Sequence, residues 1–163
     1  MVRNPSRRIV KLICAVLAVA WLATFPTLEH TAAQQPQQRH NFQSAGPLAG
    51  LPFSDAVLVG NTLYIAGHIG LDAKTGMPPV SAEDEARLVM DGIKATVESA
   101  GLTMDDMVSI QIFCTDLKLF DTFNGVYKTY FHGDFPARAF VGASNLLRGG
   151  RYEVLGIAVK RGQ

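Results

Sequence analysis

The chain has 163 residues, of which 48% are apolar and 18% charged, and its formal net charge is +1. This length supports one domain with a buried core and is too short to argue for two. A nucleic-acid-binding protein is expected to carry a marked excess of basic residues, which this chain lacks. We therefore expect a single-domain protein with no nucleic-acid partner.

The first 33 residues are predicted to be a signal peptide. Basic residues begin the segment, an apolar run extends from residue 9 to residue 25, and small residues at 31–33 offer a cleavage site. The alternative is a retained membrane anchor, but Lys11 leaves about 14 apolar or small residues, short of the roughly 20 that span a bilayer. We predict an exported periplasmic protein with no stable membrane span after processing.

The export route has two candidates, the general secretory route and the twin-arginine route. Residues 6–10, Ser-Arg-Arg-Ile-Val, match the start of a twin-arginine signal in part. Cleavage after residue 33 would remove four basic residues and one acidic residue, which changes the net charge from +1 to −2. It would also remove Cys14, leaving Cys114 as a lone thiol that we expect to be a small buried apolar residue.

Residues 34–50 are predicted to be a flexible linker, and residues 51–161 the folded domain. The linker segment is rich in Gln, Pro, Gly and Ser and has no apolar period. Within the domain, two strands flank a Gly60-Asn61 turn, because these residues tolerate the positive φ of a tight hairpin. Ser81 is a predicted N-cap and Gly101 a predicted stop for a helix with an apolar stripe.

The second half of the domain repeats this mixture of strands and helices. Apolar residues alternate from 107 to 114, as in a half-buried strand, and aromatic residues then recur at helical spacing from 120 to 130. Two more strands are predicted at 138–143 and 152–159. The result is an α+β fold with two helices on one face of a mixed sheet, and the other face then requires cover from further copies of the chain.

Five segments of the domain resemble the Rid/YjgF family in order and spacing. They are Tyr-Ile-Ala-Gly-His-Ile at 64–69, Leu-Asp-Ala-Lys-Thr-Gly at 71–76, Asp-Met-Val at 106–108, Phe-Pro-Ala-Arg-Ala at 135–139 and Tyr-Glu-Val at 152–154. The resemblance implies a chorismate-mutase-like fold, a homotrimer and ligand clefts between subunits. It also implies hydrolysis of 2-imino or 2-enamino acids to 2-keto acids and ammonia, with no cofactor.

Arg138 and Glu153 are the catalytic candidates that the resemblance carries over. A guanidinium matches a carboxylate with two parallel hydrogen bonds, so Arg138 is predicted to bind the substrate carboxylate. Glu153 is predicted to orient the attacking water and to manage its proton. The alternative is an Arg138–Glu153 ion pair that only holds the trimer together.

Four further residues complete the predicted substrate-binding site: Phe53, Ala66, Gly67 and Phe140. At three of these positions deaminating members of the family carry tyrosine, serine and cysteine, and this chain has Phe53, Ala66 and Phe140. Two hydroxyls and a thiol are therefore missing, and fewer hydrogen bonds would hold the amino end of a small imine. We expect either activity on more apolar substrates or a non-catalytic protein that binds a small carboxylate.

Two other functions are weaker predictions. Ribonuclease or chaperone-like activity, reported in the wider family, fits poorly with a net charge of −2.

No spacing of Cys and His residues predicts a metal site. His68 stands where glutamine is common in the family, and we expect neighbouring groups to satisfy it more readily than a ligand would.

Overall fold

The computed structural model describes residues 37–43 and 50–161. The predicted signal peptide lies outside the described residues, as does most of the predicted linker. Within the described part, no helix is long and apolar enough to cross a membrane.

The described residues form six strands and two α-helices. The strands are β1 (Arg39–Phe42), β2 (Ala56–Val59), β3 (Thr62–Ile69), β4 (Met107–Cys114), β5 (Ala137–Gly142) and β6 (Tyr152–Val159), and the helices are α1 (Ala82–Ser99) and α2 (Phe120–Tyr127). The sheet order is β1-β2-β3-β6-β4-β5. Only the β4–β5 pair is parallel among these strands. The mixed sheet with two helices confirms the predicted α+β class.

Strand β1 corrects the predicted start of the fold at Leu51. Residues 39–42 pair antiparallel with β2, from Arg39 opposite Val59 to Phe42 opposite Ala56. This edge strand escaped the sequence pattern because most of its side chains are exposed and so carry no apolar alternation. Phe42 alone packs against the core.

Local signals set the ends of the first elements as expected. Gly60 has a φ of 59° in the turn between β2 and β3, a conformation that glycine adopts without steric cost. The Ser81 side chain caps α1 by accepting a hydrogen bond of 3.2 Å from the Asp84 amide. Gly101, with a φ of 74°, follows the last turn.

The two faces of the sheet differ in cover. Buried side chains of β3, β4 and β6 face the helices, among them Leu63, Ile110, Ile112 and Val154. On the opposite face Tyr64, Val108 and Val141 keep 51%, 46% and 43% of their surface exposed. This open face is apolar, and no element among the described residues covers it, in agreement with the predicted architecture.

A buried carboxylate connects α1 to the start of β6. Glu85 is fully buried and accepts hydrogen bonds from the Arg151 amide (2.5 Å), the Arg151 Nε (2.6 Å) and the Tyr152 amide (3.2 Å). Arg151 also donates to the Pro79 carbonyl. Nothing local in the sequence indicates this contact, because the two partners are 66 residues apart.

Replacement of Glu85 by alanine is expected to lower the free energy of unfolding by about 3 kcal/mol. Breaking a buried ion pair leaves the charge of the partner, here Arg151, without compensation. Urea denaturation followed by circular dichroism measures this loss. The matched control is Glu83→Ala, which removes an exposed pair with Arg87 (2.6 Å) and should cost less than about 1 kcal/mol. Equal losses of unfolding free energy in the two variants would show that the Glu85–Arg151 pair stabilises the fold no more than an exposed ion pair does.

Candidate functional site

A β-bulge in β3 shapes the first part of the site. Ile65 lies opposite Gly156 of β6, whereas His68 lies opposite Val154, so β3 carries one extra residue at Ala66–Gly67. Such bulges redirect side chains and are common beside active sites. Here the bulge directs His68 to the helix face and leaves Ala66 and Gly67 beside a pocket.

Glu153 lies directly over Gly67. A Cβ atom built on Gly67 would be 2.0 Å from Glu153 Oε1, so only glycine leaves space for this carboxylate. Glu153 is half-buried, and within the described ranges it forms no ion pair. A carboxylate without a cationic partner is available as a proton acceptor.

The pocket around Glu153 has a volume of about 450 Å³, within the range of small-molecule sites. It is lined by Leu51, Phe53, Ala66, Gly67, Ile69, Leu147, Arg148 and Glu153. The structure thus brings together four of the residues that the resemblance selected: Phe53, Ala66, Gly67 and Glu153. Arg148 also lines this pocket, and it was not selected from the sequence.

Arg138 lies elsewhere, in a second pocket of about 390 Å³. Its guanidinium carbon is 4.6 Å from the ring centroid of Tyr127 and 5.6 Å from that of Phe120. Cation–π contacts of this kind orient a guanidinium and leave its hydrogen-bond donors free. No carboxylate in the described part of the chain forms an ion pair with Arg138.

Tyr127 supports Arg138 as a neutral phenol. The residue is 4% exposed, and burial raises its pKa to about 12 although the charge of Arg138 acts in the opposite direction. Its hydroxyl has no hydrogen-bond partner among the described residues. The ring therefore supplies a flat surface for the guanidinium and carries no charge at neutral pH.

Arg138 and Glu153 point to opposite faces of the sheet. Arg138 is paired with Ile110, which is buried under the helices, whereas Glu153 is paired with Phe113 on the open face. Directly opposed residues of neighbouring strands share a face. One chain therefore cannot bring the two side chains to one ligand, nor can it form an Arg138–Glu153 ion pair.

Phe140 packs on the helix side of β5. Its ring contacts Phe120 and Phe123, with centroid distances of 5.1 and 5.7 Å. It lines neither of the two pockets of a single chain. Phe140 thus stabilises the aromatic cluster beside Arg138, and its predicted contact with a substrate stays a prediction.

Two residues with reactive side chains are occupied by structural contacts. His68 Nδ1 is 2.9 Å from the Ala66 carbonyl, to which it donates, and Nε2 is 2.9 Å from the Thr96 hydroxyl, from which it accepts. The buried Cys114 thiol donates to the Asp116 carbonyl, and burial raises its pKa. Both observations agree with the structural roles expected for these residues.

The chain is similar to known proteins over most of the described residues. A family model described as endoribonuclease L-PSP matches residues 43–160. A 2-iminobutanoate/2-iminopropanoate deaminase of Bos taurus is 38% identical over 115 residues, which cover 70% of this chain and 84% of that protein.

Two solved structures share the fold. The YjgF gene product of E. coli has a TM-score of 0.70 and 34% identity, and the match covers 75% of this chain and 99% of that one. E. coli TdcF with bound serine has a TM-score of 0.65 and 31% identity, covering 74% and 94%. With the family model matched across nearly the whole sheet and both helices, this chain belongs to the YjgF/Rid family.

Proposed function

We propose that the protein hydrolyses reactive 2-imino and 2-enamino acids to 2-keto acids and ammonia. The observation that carries the proposal is the pair of incomplete sites: Glu153 over Gly67 on the open face, and an unpaired Arg138 on the other. The relatives named as imine deaminases support the reaction class. The serine bound to TdcF shows that a related protein holds a small molecule with a carboxylate.

The two incomplete sites would combine across a subunit interface. The apolar open face favours association, and a closed ring of identical subunits presents one edge of each chain to the next. In the proposed homotrimer, Arg138 of one protomer faces Glu153 of its neighbour in each cleft. This arrangement would bring together two side chains that a single chain keeps on opposite faces of its sheet.

The chemistry assigns one role to each side chain. Arg138 binds the substrate carboxylate through two parallel hydrogen bonds and fixes the C=N carbon in the cleft. Glu153 accepts a proton from water as the water oxygen bonds to that carbon, and the π electrons of the C=N bond pass to the protonated nitrogen. Glu153 then returns its proton to the amino nitrogen of the carbinolamine, the C–N bond breaks as the keto group forms, and the departing ammonia takes the hydroxyl proton and leaves as ammonium. The overall reaction consumes one water for each imine and needs no cofactor.

The apolar residues that line the Glu153 pocket, here called the apolar wall, indicate which substrate side chains would fit. Leu51, Phe53, Ile69 and Leu147 line the pocket around the Glu153 carboxylate. They would pack against the carbon chain of an imine longer than aminoacrylate. The same wall also favours the second candidate, a protein that binds small carboxylates without turnover, since few donors remain to hold the amino group.

Export remains part of the proposal. The basic and apolar pattern of residues 1–33 supports a periplasmic location, and the deaminase would then act on imines formed in or released to that compartment.

Arg138→Gln is expected to lower kcat/KM by at least about 100-fold, because the charge-assisted bidentate contact with the carboxylate is lost. Imines generated in place by an amino-acid oxidase supply the substrate, and keto-acid release is measured against buffer. Arg87→Gln, at an exposed arginine of α1, is the control and should retain full activity. Release no faster than buffer by the unmodified protein, together with keto-acid binding that needs Arg138, would favour the non-catalytic candidate.

Gly67→Ala is expected to abolish most of the activity with little loss of stability. The new Cβ would displace the end of the flexible Glu153 side chain rather than the backbone, so the carboxylate moves and the fold remains. Activity and urea denaturation are measured together. Gly125→Ala is the matched control, since a Cβ there meets no atom within 4 Å. An active Gly67→Ala protein would contradict the assigned role of Glu153.

A further inference from the structure

Arg148 has a backbone conformation that is unusual for arginine. Its φ of 60° and ψ of 13° lie in the left-handed region, and no other non-glycine residue of the described ranges has a positive φ. This region disfavours side chains with a Cβ, and glycine or asparagine occupies it more readily. Non-glycine residues held in such conformations cluster at functional sites.

The loop that carries Arg148 is firmly anchored. The Gly150 amide donates to the Leu147 carbonyl (3.1 Å), and a Cβ on Gly150 would lie 2.7 Å from Ile69 Cγ2. The next residue, Arg151, is held by the buried carboxylate of Glu85. The chain on the C-terminal side of Arg148 is therefore fixed against α1 and β3, and this anchor holds the left-handed turn in place.

Arg148 is the cationic residue of the pocket that contains Glu153. Apart from these two residues, the lining consists of glycine and apolar side chains. The Arg148 side chain is exposed and forms no ion pair with any other residue that the structure describes. Its five donors are thus free for a ligand in the pocket.

We propose that Arg148 binds a second carboxylate, located at the far end of the substrate side chain. The inference rests on the proposed function and narrows its substrate class to 2-imino dicarboxylates, the imines of acidic amino acids. Arg138 of the neighbouring protomer holds the α-carboxylate, and Arg148 holds the distal one. The apolar wall packs the methylene groups between them.

A purely apolar side chain accounts less well for these observations. It would use the wall formed by residues such as Phe53 and Leu147 but would leave the guanidinium at its rim without a partner. Nor would it explain why an arginine occupies a backbone position better suited to glycine. A distal carboxylate explains both the cation and its rigid placement, because a guanidinium binds a carboxylate in a fixed planar geometry.

The test compares two keto acids as product analogues. Titration calorimetry on the full chain measures the Kd of 2-oxoglutarate, which has two carboxylates, and of 2-oxohexanoate, which has one. Arg148→Asn removes the charge with a residue that tolerates the left-handed region, and Arg148→Lys keeps the charge. We expect Arg148→Asn to weaken 2-oxoglutarate binding about tenfold and to leave 2-oxohexanoate within about twofold, with Arg148→Lys intermediate.

The outcomes separate this inference from the proposed function. An unchanged ratio of the two Kd values in Arg148→Asn, with binding still abolished by Arg138→Gln, overturns the role of Arg148 alone. Equal weakening of both keto acids, or dissociation of the oligomer in Arg148→Asn, assigns the residue to a subunit contact and also overturns it. Binding of both keto acids that is insensitive to Arg138→Gln overturns the proposed function itself.

Discussion

The alternation of side chains along a β-strand is the constraint on which the site depends. Arg138 faces the helices and Glu153 faces the open side of the sheet, and a strand cannot turn either residue over without moving all its neighbours. Ile110, opposite Arg138, and Val154, next to Glu153 in β6, are buried and hold this register in place. A guanidinium and a carboxylate that are kept apart in one chain can meet only through a second copy. The separation within the chain is thus a consequence of its packing, and the proposed cooperation between chains would follow from it.

A β-bulge and a buried ion pair shape the Glu153 pocket. The bulge at Ala66–Gly67 places a residue without a side chain beneath the carboxylate, and it directs His68 to Thr96 on α1. The buried pair of Glu85 and Arg151 fixes the chain just before Glu153. The pocket is therefore supported from beneath by α1, and the stability of the fold and the geometry of the site share the same contacts.

Much of the fold could be predicted from the sequence because its signals are local. The Ser81 cap, the Gly60–Asn61 turn and the alternation in β4 each require only a short window of residues. Strand β1 could not be found this way, since an exposed edge strand has no apolar period. The Glu85–Arg151 pair was missed because its partners are far apart along the chain. The continuation of β3 past Gly67 to Ile69 could not be predicted, because a glycine there indicates a strand end as readily as a bulge.

The site was predictable in part, and only through the family resemblance. The resemblance selected Phe53, Ala66, Gly67 and Glu153, which the fold brings together, but residue types alone give no sheet face for Arg138. Arg148 could not be identified from the sequence, because a left-handed arginine leaves no local pattern.

The proposed arrangement takes Arg138 from one protomer and Glu153 from its neighbour in each cleft. Mixing two inactive variants, Arg138→Gln and Glu153→Gln, tests it most directly. After dissociation and reassembly at equal amounts, about a quarter of the clefts would pair an intact Arg138 with an intact Glu153, so about a quarter of the original activity should return. Mixed oligomers that assemble but show no recovered activity would contradict the shared cleft.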